Sequence, residues 1–257
     1  MHAPDAIFDS GAATHVGRVR QRNEDSYLVR PEAGIWAVAD GMGGHEAGDV
    51  ASSTVIEALK SIDAPTSASE LVARCEDRIV SANNALQRIS HERGGIVMGT
   101  TIVALLAYDS YYACLWSGDS RVYLVRAGEI SPVSRDHTAV QELVAEGALT
   151  PDEASTWPGR NVITRAVGVH DDPELELENG VLHPGDAFVL CSDGLTAHVT
   201  DSEIRDHVLA GQSQDACDAL IALTLERGAV DNVTAIVVRY RPAGAKASPG
   251  VPEGTWG

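Results

Sequence analysis

The chain has 257 residues, of which 44% are hydrophobic and 22% are charged. This composition is typical of a folded globular protein and excludes a disordered or collagen-like chain. The 19 Lys and Arg residues against 37 Asp and Glu residues give a formal net charge of -18. Because a charge of this sign opposes binding to a phosphate backbone, we expect no nucleic-acid partner.

The opening residues and the cysteines argue against export. Residues 1–15 lack the basic start and the apolar stretch of a secretory signal. The longest apolar run, residues 96–108, is too short to span a bilayer as a helix. The chain has four cysteines, which lie far apart: Cys75, Cys114, Cys191 and Cys217. They form no C-x-x-C pair, so we expect reduced core residues in a cytoplasmic protein without a membrane partner.

The first half of the chain predicts one strand, two helices and then three strands. Apolar residues at three- and four-residue spacing predict amphipathic helices over 47–62 and 71–89. Apolar runs rich in β-branched and aromatic residues predict strands over 35–39, 101–107, 112–116 and 121–125. The last three strands are joined by short turns only, which favours antiparallel pairing over helical crossovers.

The second half of the chain predicts three helices and two strands. Thr150 with Glu153, and Thr200 with Glu203, match the capping-box pattern and mark two helix starts. An apolar stripe predicts a third helix over 217–224. Strands are predicted over 187–191 and 233–240.

Paired strands with helices early and late in the chain indicate an α+β protein in which helices cover the sheets in layers. Residues 15–240 show no break that resembles a linker, so we expect one large domain there. Residues 1–14 are predicted to be an N-terminal extension. Residues 241–257 are rich in Pro, Gly and Ala and are predicted to form a disordered tail.

Four acidic residues lie at the ends of predicted strands. Asp40, Asp119 and Asp193 follow apolar runs, and Asp231 precedes one. If these strands are neighbours, their ends converge, and like charges held close together need protons or cations to offset them. A set of oxygen ligands favours Mg2+ or Mn2+ over zinc. The competing interpretation is that each Asp-Gly or Asp-Asn pair only forms a turn.

The sequence Gly41-Met42-Gly43-Gly44 lies between a strand and a helix, where a phosphate-binding loop could stand. A P-loop requires Lys and Ser or Thr after its last glycine, but Asp49 follows Gly48. A dinucleotide-binding motif requires a glycine where Glu46 stands. The Asp-x-Asp nucleophile motif of haloacid-dehalogenase-type phosphatases is also absent at Asp40. We therefore favour a metal site.

The chain resembles the metal-dependent type 2C serine/threonine protein phosphatases, especially their bacterial branch. The resemblance covers residues 15–240 and rests on the order and spacing of six motifs: VRQRNEDS (19–26), ADGMGGH (39–45), GTT (99–101), SGDSR (117–121), CSDGL (191–195) and DNVT (231–234). The fold that it implies is a four-layer α-β-β-α sandwich, with two packed, largely antiparallel sheets flanked by helices.

The resemblance implies two Mn2+ or Mg2+ ions in the catalytic centre. Asp40 would bridge them, Asp193 and Asp231 would complete the first site, and Glu24 and the carbonyl group of Gly41 would serve the second. A water molecule between the ions would then attack phosphorus without a covalent intermediate. These cations would also offset the acidic charge of the protein at the cleft.

Three further residues receive roles from the resemblance. Asp119 matches the acidic residue that holds a third metal ion in bacterial members. Arg20 matches the arginine that binds the phosphate group of the substrate, and its guanidinium suits phosphate oxygens. Met42 stands where animal members have a histidine, so His45 is the candidate acid for the leaving group; solvent or a metal-bound water is the alternative.

Residues 137–156 resemble the mobile flap that lies beside the active site in this family. The alternative is an ordinary packed helical connection. If the segment is a flap, we expect its sequence to influence the choice of substrate.

The function implied by the resemblance is hydrolysis of phosphoserine and phosphothreonine on proteins, in opposition to a bacterial serine/threonine kinase. We expect phosphoproteins as partners and a monomeric enzyme. The alternative is an inactive pseudophosphatase that acts as a binding or scaffold module. A third possibility is a phosphatase restricted to one regulatory phosphoprotein, such as an anti-sigma antagonist.

Overall fold

The computed structural model describes residues 6–43 and 47–242. Its strands are β1 (Ala6–His15), β2 (Asp25–Arg30), β3 (Ile35–Gly43), β4 (Met98–Thr100), β5 (Ile102–Tyr108), β6 (Tyr111–Ser117), β7 (Arg121–Arg126), β8 (Glu129–Pro132), β9 (Glu176–Val181), β10 (Ala187–Cys191) and β11 (Val233–Pro242). Its helices are α1 (Ala47–Lys60), α2 (Ala68–Glu92), α3 (Ala139–Ala145), α4 (Pro151–Ser155), α5 (Asp193–Thr196), α6 (Asp201–Ala210) and α7 (Ser213–Glu226).

The strands form two antiparallel sheets. One sheet has five strands in the order β1-β11-β10-β7-β8. The other has six strands, in the order β2-β3-β5-β6-β9 with β4 paired to β3. The predicted meander is confirmed in part, because β5 pairs with β6 whereas β7 crosses to the five-stranded sheet and pairs with β10.

The central strands are apolar on both faces because each sheet packs against helices on one face and against the other sheet on the opposite face. In β3, Trp36 faces the opposite sheet and Ala37 faces the layer of α1 and α2. In β11, Ile236 faces the opposite sheet and Ala235 faces the layer of α5, α6 and α7. Alternate side chains thus fill three apolar layers. The predicted α+β class and the four-layer sandwich are confirmed.

Aromatic pairs help to fix the two sheets against each other. The ring centroids of Phe8 and Trp36 are 5.0 Å apart, and those of Tyr112 and Phe188 are 4.9 Å apart. Each pair joins one strand of the five-stranded sheet to one strand of the six-stranded sheet, in the tilted geometry that aromatic rings favour.

All six predicted strands and all five predicted helices are present, and the structure adds elements that were not predicted, among them the edge strands β1, β8 and β9. The part of the predicted N-terminal extension that the structure describes is strand β1, which pairs with β11 along ten residues from Ala6 to His15. The sheet therefore begins before residue 15. Residues 241 and 242 of the predicted tail also belong to β11, and residues 243–257 lie outside the described part of the chain.

The predicted flap carries the two short helices α3 and α4. Thr138 accepts a hydrogen bond from the backbone N–H of Gln141 and caps α3. Thr150 and Glu153 form the capping box of α4, as predicted. Among residues 6–43 and 47–242, no helix has the length and apolar character needed to cross a bilayer.

The capping box of α6 provides a test of the local helix signals. Thr200 accepts from the N–H of Glu203, and the Glu203 carboxylate accepts from the N–H of Thr200. We expect Thr200→Ala to lower the free energy of unfolding by about 1 kcal/mol, because the backbone N–H of Glu203 at the helix start loses its hydrogen-bond acceptor. Urea denaturation measures this, with Thr200→Ser as the control that keeps the hydroxyl. Equal stability of the Ala variant and the parent would contradict it.

Candidate metal centre

Asp40 lies inside a strand and does not form a turn. The Asp40-Gly41 pair belongs to β3, where Asp40 is opposite Asp25 of β2 and Gly41 is opposite Thr100 of β4. Gly41 is required here because a Cβ atom would collide with the carbonyl oxygen of Gly48 at the start of α1. The turn-only interpretation of this pair is therefore wrong.

The second Asp-Gly pair begins helix α5. Asp193 is the first residue of α5, and Ser192 is its N-cap residue. A Cβ atom at Gly194 would collide with the carbonyl oxygen of Asn232. This glycine brings the backbone that carries Asp193 against the segment that carries Asp231, so the two predicted ligands are held together.

Asp40 is the centre of a group of carboxylates that meet at one end of the two sheets. Burial and the charges of its acidic neighbours raise the pKa of Asp40 well above its ordinary range; these neighbours are Asp25, Asp193, Asp119 and Asp231. The side chains of Asp40 and Asp193 share a hydrogen bond, and burial followed by the charge of Asp231 raises the pKa of Asp193. The structure thus brings together the four strand-end residues that the sequence singled out.

Asp119 is a further buried member of this group of carboxylates. It is 7% exposed, and burial together with the charges of Asp193 and Asp136 raises its pKa to about 7. A carboxyl group with this pKa is largely protonated below pH 7. A bound cation can take the place of that proton.

Asp25 is a member of the cluster that sequence reasoning did not assign a role. It is 8% exposed, and its Oδ2 atom accepts hydrogen bonds from Ser192 Oγ at 2.8 Å and Thr234 Oγ1 at 2.7 Å. Its Oδ1 atom is buried without a hydrogen-bond partner. Burial raises the pKa of Asp25 to about 6 despite these two hydrogen bonds. In the sequence, the feature that pointed to Asp25 was its place in the polar triplet Asn23-Glu24-Asp25.

Glu24 approaches the cluster from the loop before β2. Its backbone carbonyl accepts from the N–H of Gly41 at 3.1 Å and from Ser52 Oγ of α1 at 2.6 Å. Burial raises the pKa of its carboxyl group, while the charge of Arg20 opposes that rise. The backbones of Glu24 and Gly41, the two residues of the predicted second metal site, are therefore adjacent.

The amide group of Asn232 holds the loop that carries Arg20 and Glu24. Its Oδ1 atom accepts from the N–H of Glu24 at 2.8 Å, and its Nδ2 atom donates to the carbonyl oxygens of Val16 at 2.9 Å and Arg22 at 2.8 Å. A carboxylate could not make the last two bonds because it has no donor. This explains why an amide follows Asp231 in the DNVT motif.

The GTT motif holds the backbone of Asp40. Thr100 Oγ1 and the N–H of Thr101 both donate to the carbonyl oxygen of Asp40, and Thr101 Oγ1 accepts from the N–H of Asp40 at 3.0 Å. Thr101 Oγ1 also lies 2.8 Å from Ser120 Oγ, next to Asp119. The hydroxyl groups of Thr101 and Ser120 therefore connect the backbone of Asp40 to the segment that carries Asp119.

Arg20 pairs directly with one of the predicted ligands. Its Nη2 atom lies 2.6 Å from Asp231 Oδ2, and this hydrogen bond raises the pKa of the guanidinium group. The Arg20 side chain is 54% exposed, so part of its guanidinium group is open to solvent beside Asp231. His45, the predicted acid, lies outside the described residues.

In the conformation described, no three His, Cys, Asp or Glu side chains within residues 6–43 and 47–242 are arranged to hold a metal ion. Asp231 is paired with Arg20, and Asp40 with Asp193, so a cation would have to replace these contacts. The donor set still fits a divalent ion: the oxygens are carboxylates, and Asp25 Oδ1 is buried without a partner.

A groove of about 500 Å3 leads from this cluster toward the flap. Its lining includes Asp119 and Asp193 of the cluster, Arg121 and Asp136, and Val140 of α3. Arg121 donates to both carboxylate oxygens of Asp136, at 2.8 and 2.7 Å. The predicted flap therefore borders the carboxylate cluster.

Comparison with known proteins places these features in one family. The family model described as protein phosphatase 2C matches residues 14–228. The serine/threonine protein phosphatase PstP of Mycobacterium tuberculosis is 40% identical over 233 residues, which are 90% of this chain and 45% of PstP. The protein phosphatase PhpP of Streptococcus pneumoniae is 33% identical over 235 residues, which are 88% of this chain and 94% of PhpP.

Solved structures agree with this result. The structure of PppA, described as a key regulatory component of T6SS in Pseudomonas aeruginosa, superimposes with a TM-score of 0.85 at 43% identity, over 91% of this chain and 99% of PppA. The catalytic domain of PstP in complex with two manganese ions gives a TM-score of 0.83 at 36% identity, over 92% of this chain and 99% of that domain. The chain belongs to the protein phosphatase 2C family, and it spans about half the length of full PstP.

The raised pKa values predict how metal binding depends on pH. The folded pKa values of about 6 for Asp25 and about 7 for Asp119 exceed the ordinary value of 3.8, so the metal-free fold binds more protons than the unfolded chain. The stability from these two groups is complete below pH 3.8 and is lost as the pH rises through 6 to 7. A divalent cation needs deprotonated carboxylates and should compensate that loss.

We therefore expect saturating Mn2+ to raise the Tm by about 5 °C or more at pH 8 and by much less at pH 5. Differential scanning fluorimetry of chelator-treated protein, with and without added Mn2+, measures both shifts. Asp119→Asn should reduce the difference between the two pH values. An equal Mn2+ effect at pH 5 and pH 8, or none at either, would contradict the prediction.

Proposed function

We propose that this protein is a metal-dependent phosphatase that hydrolyses phosphoserine and phosphothreonine on proteins and opposes a bacterial serine/threonine kinase. The observation that carries the proposal is the convergence of Asp25, Asp40, Asp119, Asp193 and Asp231 on one end of the sheets. Burying so many acidic groups together costs stability unless cations are bound. Relatives of this chain carry the names serine/threonine protein phosphatase PstP and serine/threonine phosphatase stp.

The proposed ligands follow the assignments made from the sequence. Asp40 would be shared by two ions, Asp193 and Asp231 would hold one of them, and Glu24 and the carbonyl group of Gly41 would hold the other. Asp119 would contribute to a third ion. Manganese is supported by the two manganese ions in the PstP catalytic domain, and magnesium suits the same oxygen ligands. When bound, such ions lower the pKa of water and offset charge on a phosphoryl group.

Arg20 would orient the phosphate group of the substrate. One branch of its guanidinium group is bonded to Asp231, and the group has further N–H donors that can bind phosphate oxygens in the same plane. Its exposed position beside Asp231 suits this role. His45 stays the proposed proton donor to the leaving oxygen.

Protein substrates are supported by the open groove between the cluster and the flap. Its polar wall, with Asp136 and Arg121, and its apolar part, with Val140 and Val144, could both contact the peptide that carries the phosphate. A small phosphate ester would reach the cluster without touching the flap. The flap should therefore affect peptides more than small esters.

The test is hydrolysis of a phosphothreonine peptide and of p-nitrophenyl phosphate, with Mn2+, with Mg2+ and after chelation. We expect activity only with a divalent metal. Asp193→Ala should lower kcat/KM by about 100-fold or more, because a ligand of the charge-stabilising ions is lost. The matched control is Asp206→Ala, since the Asp206 side chain is 64% exposed on α6 and pairs with Arg205 next to it.

Activity that persists after chelation would overturn the metal-dependent mechanism. A folded parent protein that is inactive with either metal would overturn the phosphatase proposal and favour the binding module. Activity on one phosphoprotein and on no unrelated phosphopeptide would support the restricted phosphatase instead.

A further inference from the structure

His137 is the first residue of the flap, and it is bonded to the loop that carries Asp119. The backbone N–H of His137 donates to the carbonyl oxygen of Gly118 at 2.9 Å, and the N–H of Gly118 donates back to His137 Nδ1 at 3.2 Å. The residue is 5% exposed. The start of the flap and the residue before Asp119 are thus joined by two hydrogen bonds.

The other edge of the imidazole ring contacts strand β9. His137 Nε2 lies 3.2 Å from Glu176 Oε1, and the same oxygen accepts from Arg165 Nη1 at 2.8 Å. Because Nδ1 accepts from Gly118, a neutral ring carries its proton on Nε2 and donates it to Glu176. Burial and then the charge of Arg165 lower the pKa of His137, which favours this neutral form.

The chain that follows the flap returns to the same residue. The N–H of Thr164 donates to the carbonyl oxygen of His137 at 2.9 Å, and Thr138 forms a β-bridge with Ile163. The ring of His137 also stacks on Trp116 of β6, with centroids 6.1 Å apart. Through its ring and its backbone together, His137 therefore connects the Asp119 loop, the start of the flap, residues 163–164 and the six-stranded sheet.

A histidine that only fills the core would make its contacts within one packed layer. The ring of His137 instead joins two separate segments: the backbone next to Asp119, which lines the groove, and Glu176 of β9. We propose that His137 is a positioning residue: its ring fixes the backbone beside Asp119 and, at the same time, the base of the flap. This inference rests on the proposed function, because Asp119 acts as a metal ligand only in that function.

Loss of the ring should therefore have two linked effects. The Asp119 loop should become more mobile, so the weakest Mn2+ site should lose about tenfold in affinity, as happens when residues that support metal ligands are changed. The base of the flap should also loosen, so KM for a phosphopeptide should rise several-fold while KM for p-nitrophenyl phosphate changes little.

The experiment compares His137→Leu with His137→Asn in the full chain. The Oδ1 atom of asparagine can accept from the N–H of Gly118 in place of Nδ1, so the Asn variant should recover most of the lost function. The control is His91→Leu, a change of the same chemistry at an exposed position in α2. The readouts are Mn2+ titration calorimetry, hydrogen exchange of residues 116–121, and the kinetics with both substrates.

We expect the Leu variant to lose Mn2+ affinity and exchange protection in residues 116–121, and the Asn variant and the control to keep them. If the Leu variant does not fold, Glu176→Gln provides the test, because Glu176 is 42% exposed and orients Nε2; a smaller loss in the same direction is expected. Unchanged Mn2+ affinity and exchange in the folded variants would overturn the inference.

The two proposals fail in different ways. If the parent chain hydrolyses neither substrate, the proposed function is wrong, and the Mn2+ titration and hydrogen exchange still decide whether His137 positions the Asp119 loop. If the parent is active and His137→Leu shows the same KM for the phosphopeptide and the same Mn2+ affinity as His91→Leu, the function stands and the role of His137 is wrong.

Discussion

The repulsion among buried carboxylates is the constraint on which the rest of this structure depends. Asp40 lies between four other acidic groups, and burial together with their charges raises its pKa well above its ordinary range. Such a group is unfavourable in a protein that has no cation or proton to offset it. The fold supplies two partial remedies, the guanidinium of Arg20 on Asp231 and the hydrogen bond between Asp40 and Asp193. In the proposed function, bound divalent cations would offset the charge that remains.

The two sheets and the motifs around them serve to hold these charges together. The backbone of Asp40 is fixed by the hydroxyl groups of Thr100 and Thr101, and the loop that carries Glu24 is fixed by the amide of Asn232. Each supporting group is uncharged and hydrogen-bonded, so it orients a carboxylate without adding to the repulsion. Gly41 and Gly194 permit the close backbone contacts that bring the segments into reach.

The central strands could be predicted from the sequence because both of their faces are buried. Burial on both faces gives continuous apolar runs such as 187–191 and 233–240. The sequence was insufficient for edge strands such as β8 and β9, whose side chains are mostly exposed. The predicted strand-end positions singled out Asp40 and Asp193 as candidate ligands, and the structure places both in the carboxylate cluster. They did not identify the role of Asp25, because its partners Ser192 and Thr234 lie 167 and 209 residues away along the chain, and only the fold brings them together.

The most direct test of the central claim is a crystal structure of the protein grown with Mn2+, with anomalous scattering measured at the manganese absorption edge. We expect at least two anomalous peaks, both within coordination distance of Asp40, with Asp231 released from Arg20 and bound to metal. A well-ordered Asp40 with no peak beside it, in crystals that contain saturating Mn2+, would contradict the claim that the carboxylates are gathered to bind metal.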